Sequence, residues 1–215
     1  MGNRAVITVG DEHGSFNPNG IGIYLHWNGG RDSVQAFLKY CDLHGYRSPS
    51  SDNYGWASLC QVISNFFGGG DSIGVDKCCN LDCDNGDNGV FTIQGWEIVG
   101  RKYSHREQNQ YELDKMLIDI DKAQPEQMRI GEFIQAEHIE DFSQLQIGDE
   151  IVWIDWANRL RKGKIIGFGA DRTLSCRDCK GVPYMDAFGD KPEDNPNNYL
   201  WSDSRIEYRL VDKSD

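Results

Sequence analysis

The sequence predicts an α+β fold: a mixed sheet with two helices, then an acidic helical connector, then a small SH3-like β-barrel. Three observations lead to this prediction. Short apolar runs at 4–9 and 21–27 are typical of strands. Apolar residues recur at helical spacing in two stretches, 34–44 and 54–67. After residue 145 the chain holds short apolar runs between turn residues, which favours a small barrel.

The first region, residues 1–103, is expected to form one α+β domain. Its strands at 4–9 and 21–27 are predicted to be antiparallel, because a turn-rich loop joins them. Asp32 or Ser33 can cap the first helix, since a side-chain oxygen there binds free N–H groups. That helix is predicted to bury one stripe of side chains: Val34, Phe37, Leu38 and Cys41.

The rest of this domain follows the same alternation. A second helix is expected from Tyr54 until the glycine run 68–70 stops it. A strand is predicted at 73–79, and a hairpin around Gln94-Gly95 completes the sheet. The Gly29-Gly30 pair is interpreted as a tight turn that leaves Arg31 exposed.

The second region, residues 104–144, is predicted to be an acidic connector around one amphipathic helix at 111–123. Residues 104–150 hold 4 basic and 12 acidic side chains, in a chain of formal net charge −12. Such a segment is attracted to a basic protein surface and is repelled by nucleic acid. The inward face of the helix is expected to carry Leu113, Leu117, Ile118 and Ile120. The residues predicted to bind the partner are Glu112, Asp114, Asp119 and Asp121.

The third region, residues 145–215, is predicted to form the barrel. It contains a basic run from Arg159 to Lys164, close in sequence to Trp153 and Trp156, and Trp201 follows later. A basic and aromatic surface is typical of nucleic-acid binding, so a nucleic-acid-binding module is one alternative function. The other interpretation is a solvated turn. The acidic balance of the chain argues against direct binding of nucleic acid.

Two groups of cysteines have the spacing of zinc ligands. Seven cysteines without an export signal indicate reduced thiols rather than disulfides. Cys176 and Cys179 form a Cys-x-x-Cys pair, and Cys79 and Cys83 lie four residues apart beside Cys78. We therefore expect structural Zn²⁺, either at one Cys₄ site that both groups form together or at one or both groups separately with the help of His. Buried reduced thiols are the alternative.

No set of residues stands out as catalytic, and the prediction is that the chain is not an enzyme. The strongest catalytic alternative uses the acidic loop, Asp82 to Asp87, whose carboxylates offer oxygens to a divalent metal. With His26 as a base or ligand, it would make a metal-dependent hydrolase or nuclease. No run of about 18 apolar residues occurs, so no membrane-spanning helix is expected. The N-terminus shows no signal peptide.

The stretch from Gly22 to Leu38 is GIYLHWNGGRDSVQAFL. It resembles the signature YLHWNGGRDSVxAFLxYC of a family of small proteins carried by phages and mobile elements of Gram-positive bacteria. The likeness continues at 54–57, 65–69, 80–85 and 96–101. The resemblance implies a phage protein located in the cytoplasm of the bacterial host. Because such elements carry proteins that block host defences, it also implies an anti-CRISPR inhibitor that binds a Cas effector such as Cas9.

Overall fold

The computed structural model describes residues 2–11, 13–103, 107–140, 144–155, 157–168, 183–185 and 207–211. The chain divides into two compact units, Met1–Arg129 and Ile130–Asp215. This division differs from the three regions predicted from sequence. The boundary falls inside the predicted connector, because the connector helix packs in the first unit.

The first unit contains a five-stranded mixed sheet, which confirms the predicted α+β class. Its strands lie in the order β3-β2-β1-β4-β5. Strands β1 and β4 are parallel, and the other neighbouring pairs are antiparallel. The strands are β1 (Ala5–Val9), β2 (Ile21–Leu25), β3 (Ile73–Lys77), β4 (Val90–Gln94) and β5 (Glu97–Lys102).

Three α-helices complete this unit: α1 (Arg31–Leu43), α2 (Asn53–Phe67) and α3 (Leu113–Ala123). Short 3₁₀ turns occupy Cys78–Asn80 and Glu126–Met128. Helix α1 packs against both other helices and against β5. Its predicted stripe of Val34, Phe37, Leu38 and Cys41 is buried as expected. Helix α3 therefore belongs to the helical layer of the first unit.

The two faces of the first sheet are covered differently. Side chains alternate along a strand, so Ile7 and Val6 of β1 point to opposite faces. Val6 packs with Val90, Cys78 and Cys83 in one buried cluster, so the 78–83 stretch covers that face. The start of β1 and the end of β2 thus lie close to the acidic loop.

The second unit contains helix α4 (Gly131–Gln135) and five strands. The strands are β6 (Glu137–His138), β7 (Glu150–Ile154), β8 (Leu160–Phe168), β9 (Pro183–Met185) and β10 (Tyr208–Leu210). They lie in the order β6-β10-β7-β8-β9, and every pairing is antiparallel. The buried core holds Leu145, Ile151, Trp153, Ile165 and Tyr208. The described residues of this unit form no closed barrel, so the SH3-like barrel stays a prediction.

Candidate functional site

A segment formed by residues 107–111 lies against the start of α1. Two nitrogens of Arg31, Nε and Nη2, each lie 2.9 Å from a carboxylate oxygen of Glu107. The Nε atom of Arg101 lies 3.6 Å from the same carboxylate. The Arg31 guanidinium holds the pKa of Glu107 below its usual value. The prediction of an exposed Arg31 is therefore wrong, because this side chain is partly buried in an ion pair.

Asp32 joins the start of α1 to the same segment. Its Oδ2 atom accepts hydrogen bonds from the backbone N–H groups of Gln110 and Tyr111, the second at 2.7 Å. Its Oδ1 atom accepts a hydrogen bond from the Ser33 N–H at 2.7 Å. The N-cap residue itself is Gly30, which makes no side-chain capping bond. The Asp32 carboxylate thus binds N–H groups at the start of α1 and others just before α3.

Gly30 allows the 107–111 segment to approach the start of α1 closely, and Gly29 allows the start of β1 to approach the same turn. A Cβ atom on Gly30 would overlap the carbonyl oxygen of Gln108, and one on Gly29 would lie 2.6 Å from the Ala5 nitrogen. Gly30 has a φ of −63°, so the need for glycine is steric rather than conformational. On its other side, the Gln108 N–H donates to Asn88 Oδ1 at 2.9 Å. Gly30 therefore makes room for the 107–111 segment, and Gly29 makes room for the start of β1.

Three of the four carboxylates predicted to bind the partner lie on the outer side of α3 or at its start. Glu112, Asp114 and Asp119 are exposed. Within the described part of the chain, none of the three carboxylates forms an ion pair or a hydrogen bond. Lys115 and Lys122 are exposed on the same helix, about one helical turn from Glu112 and Asp119. We call Glu112, Asp114 and Asp119 the acidic face.

Asp121 does not belong to this face, which corrects the prediction from sequence. It is 6% exposed, and its Oδ1 atom accepts a hydrogen bond from the Tyr40 hydroxyl at 2.9 Å. Burial and the neighbouring Asp121 carboxylate raise the pKa of Tyr40. The physical reason is the helical repeat. Asp121 lies one turn after the buried Leu117, so the two side chains point to the same, inward side of α3.

Two exposed apolar side chains flank the first carboxylate of the acidic face. Tyr111 is 42% exposed and Leu113 is 46% exposed. Leu113 was expected on the inward face, but the buried stripe of α3 begins one turn later, at Met116. The sequence signal for this exposure is weak. Leu113 is the first residue of α3, and the buried residues of the helix begin only at Met116.

The upstream cysteine group lies against the sheet. Cys78 and Cys83 are buried with Val6 and Val90, and the Cys83 thiol donates to the Cys78 carbonyl oxygen at 3.1 Å. Burial raises the pKa of the Cys83 thiol to about 11. A raised pKa opposes the thiolate that zinc requires. Cys79 is exposed. Two of the three thiols therefore act as small apolar side chains.

The zinc prediction remains a prediction, and its downstream pair, Cys176 and Cys179, is untested. Among the described residues, no three His, Cys, Asp or Glu side chains are grouped so that they could hold a metal ion. Cys78, Cys79 and Cys83 are thus not brought together as three ligands. Cys176 and Cys179 lie outside the described residues.

Arg4 and a side-chain amide close the acidic loop. The Arg4 Nε atom lies 2.6 Å from Asp87 Oδ2, and its Nη1 atom lies 3.5 Å from Asp82 Oδ2. The Asn85 Oδ1 atom accepts hydrogen bonds from the N–H groups of Asp87 and Gly89 at 3.0 and 3.1 Å. Bonds of this kind define an Asx turn. Two of the three carboxylates on which the hydrolase alternative depends are therefore already paired with a cation.

His26 extends this polar group along the surface. Its Nδ1 atom lies 3.4 Å from the Tyr24 hydroxyl, and its ring meets Trp27 edge-on at 4.8 Å between centroids. Burial raises the pKa of Tyr24. The positive charge of Arg4 opposes this rise, and the negative charge of Asp82 adds to it. Sequence reasoning did not single out Tyr24. We call His26, Tyr24, Arg4 and Asp82 the His26 cluster.

Three of the four basic side chains of the basic run form ion pairs within their own unit. Asp155 Oδ2 lies 2.7 Å from Arg161 Nε and 3.1 Å from Arg159 Nη2. Although burial opposes it, hydrogen bonds from Arg161 and Arg159 hold the pKa of Asp155 below its usual value. The ammonium of Lys162 lies 2.6 Å from a Glu132 carboxylate oxygen. Three of the basic side chains that would contact nucleic acid are therefore already paired.

The aromatic half of the nucleic-acid alternative is also weakened. Trp153 is 5% exposed and packs on Tyr208, with 5.7 Å between ring centroids. A buried indole is not free to stack on a base. Trp156 and Trp201 lie outside the described residues.

The described part of the chain contains no helix with both the length and the apolar character needed to cross a membrane. The sequence matches no family model. It also matches no curated protein and no solved structure.

Proposed function

We propose that the chain is a phage-type anti-defence protein, an anti-CRISPR inhibitor that binds a Cas effector such as Cas9 without catalysing a reaction. One observation carries the proposal: the carboxylates of Glu112, Asp114 and Asp119 are exposed and have no ionic partner among the described residues. The resemblance to phage and mobile-element proteins supplies the biological context.

The physical argument concerns the cost of binding. A carboxylate that already has a cation beside it must give up that partner before it can bind another. The acidic face has no such partner to lose, and Asp32 holds the chain immediately before it. Charged groups of this kind speed the encounter with an oppositely charged surface and set its orientation. A Cas effector offers such a surface, because its nucleic-acid channel is positively charged.

The test is affinity capture of the tagged chain from a bacterial lysate that contains Cas effectors, followed by a cleavage assay with purified Cas9, guide RNA and target DNA. We expect a stoichiometric Cas protein in the eluate, and cleavage that falls as the chain approaches one equivalent. The control variant is D71N/E97Q, which removes two exposed carboxylates outside the acidic face and should still inhibit. A bait without partners, and cleavage unaffected by excess chain, would refute the proposal.

The His26 cluster favours a second function, that of a metal-dependent hydrolase or nuclease. Support comes from the Tyr24 hydroxyl beside the His26 imidazole, since a hydrogen bond at Nδ1 orients the ring and leaves Nε2 open to a substrate. The test is cleavage of DNA and RNA with Mg²⁺ or Mn²⁺. The hydrolase predicts turnover that Asp84→Ala and His26→Gln both abolish. The lead proposal predicts no turnover at all.

For residues 145–215 we also propose the SH3-like barrel, braced by a structural Zn²⁺ at Cys176 and Cys179. Support comes from four short antiparallel strands, β7 to β10, and from the Cys-x-x-Cys spacing. The purified chain should contain about one zinc per molecule, and C176S/C179S should lose it. Equal metal content in C78S/C83S and the wild type would assign the zinc to the downstream pair. A metal-free wild-type chain would exclude the site.

A further inference from the structure

The start of α3 combines apolar and acidic side chains in one short stretch. Tyr111 and Leu113, about two-fifths and nearly half exposed, lie on either side of Glu112. Glu112 has an extended backbone, with φ −86° and ψ 136°. In an extended chain, residues two apart direct their side chains to the same side. The two large apolar groups therefore share one side of the chain, the Glu112 side chain points to the opposite side, and Asp114 follows directly after Leu113.

This stretch is held at both ends. The Tyr111 N–H donates to the Asp32 carboxylate at 2.7 Å, and the Glu112 carbonyl oxygen accepts the first helical hydrogen bond of α3, from Met116, at 2.9 Å. An exposed segment whose backbone is already ordered loses little conformational entropy when a partner binds it. Large side chains on such a segment are well suited to act as interface anchors, since a few buried side chains carry most of the energy of an interface.

Taking its partner class from the proposed function, we propose that Tyr111–Asp114 is a docking segment for a basic protein surface. Tyr111 and Leu113 enter an apolar recess of that surface, and the Asp114 carboxylate meets a basic group at the rim of the recess. The Glu112 carboxylate, on the opposite side of the chain, adds negative charge that attracts a basic partner. Charge complementarity selects this occupant. Nucleic acid is repelled by the two carboxylates and offers no apolar recess. A second copy of the chain would place these carboxylates near carboxylates of the same sign.

The docking segment requires a partner that is both basic and apolar, and two synthetic peptides separate these two properties. The peptides have equal length and equal positive charge, one built from Lys and Leu and the other from Lys and Ser. Each is titrated into the ¹⁵N-labelled full chain and followed by NMR. We expect the Lys/Leu peptide to bind about tenfold more tightly, with the largest shifts at 111–114. In Y111S/L113S that preference should disappear.

The matched control is V75S/V99S, which truncates two exposed apolar side chains elsewhere and should keep the preference. Equal affinity for both peptides, binding of neither, or shifts centred away from 111–114 would overturn the docking segment. Cas9 binding separates this result from the proposed function. Cas9 binding that survives Y111S/L113S would overturn the docking segment and leave the inhibitor standing. A clear Lys/Leu preference without Cas9 binding would support the docking segment and refute Cas9 as the partner.

Discussion

The acidic face and the basic run are both charged stretches that the sequence singles out as binding surfaces, yet they differ in what their charges do. Three of the four cations of the basic run are ion-paired within their own unit, Arg159 and Arg161 with Asp155 and Lys162 with Glu132. By contrast, the three carboxylates of the acidic face have no ionic partner among the described residues. The two charged stretches therefore differ in how many of their charges are ion-paired within the described residues.

Helix α3 shows the same contrast between neighbours. Asp119 and Asp121 are two residues apart and carry the same charge. Asp119 is exposed, whereas Asp121 is buried against the Tyr40 hydroxyl. One carboxylate is therefore open to solvent, and the other contributes to the packing of α3 against α1. This difference gives the first prediction.

Asp121→Ala should produce the largest loss of stability. Removing a buried carboxylate that accepts a hydrogen bond, and leaving the Tyr40 hydroxyl without it, costs about 2–3 kcal/mol in the free energy of unfolding. Asp119→Ala is the matched control and should change it by less than about 0.5 kcal/mol. Urea denaturation measures both values. Similar losses in the two variants would remove the distinction between the two carboxylates.

Gly30→Ala should have the next largest effect. The added Cβ overlaps the Gln108 carbonyl oxygen, so the 107–111 segment must move or its packing must strain, at a cost of about 1–2 kcal/mol. Gly70→Ala is the control, because a Cβ at that position meets no atom within 4 Å. The amide NMR signals of residues 107–114 should shift in the first variant only. Unchanged signals there would mean that the Gly-Gly turn does not position the acidic face.

The Arg31–Glu107 pair gives a smaller effect that depends on pH. Arg31 lowers the folded-state pKa of Glu107, whose unfolded value is about 4.3. Its contribution is therefore fully present above that value and is lost as the pH falls through the lower folded-state pKa. The pair is partly exposed, so Glu107→Gln should cost less than about 1 kcal/mol at neutral pH.

Urea unfolding between pH 3 and pH 7 tests this sign. The difference between wild type and E107Q should shrink towards zero at the acidic end. Glu97→Gln, at an exposed carboxylate, should track the wild type throughout. A difference that grows as the pH falls would show that Glu107 is not stabilised as a carboxylate.

Local patterns predicted much of the first unit. Apolar alternation placed β1 and β2, and helical spacing placed α1 and its buried stripe. Helical phase also contained the signal that Asp121 faces inward, because it lies one turn after Leu117. Grouping the acids of α3 by charge alone misses that signal and places Asp121 among the exposed carboxylates.

The rest depended on contacts between residues far apart in sequence. Arg31 and Glu107 are separated by 76 residues, and Asp32 and Tyr111 by 79. No local pattern indicates that the Gly-Gly turn receives this later segment. The same holds for Lys162 and Glu132, 30 residues apart. Asp155 and Arg159 were a nearer case, since only four residues separate them.

The most direct measurement of the central claim is the salt dependence of Cas9 binding by calorimetry, for the wild type, E112Q/D114N/D119N and R161Q/K162Q. For E112Q/D114N/D119N, the acidic-face variant, we expect about tenfold weaker binding at low salt and a flatter salt dependence than for the wild type. The basic-run variant should bind within about twofold of the wild type, because its charges are already paired. The opposite pattern, with loss on changing the basic run and none on changing the acidic face, would contradict the central claim.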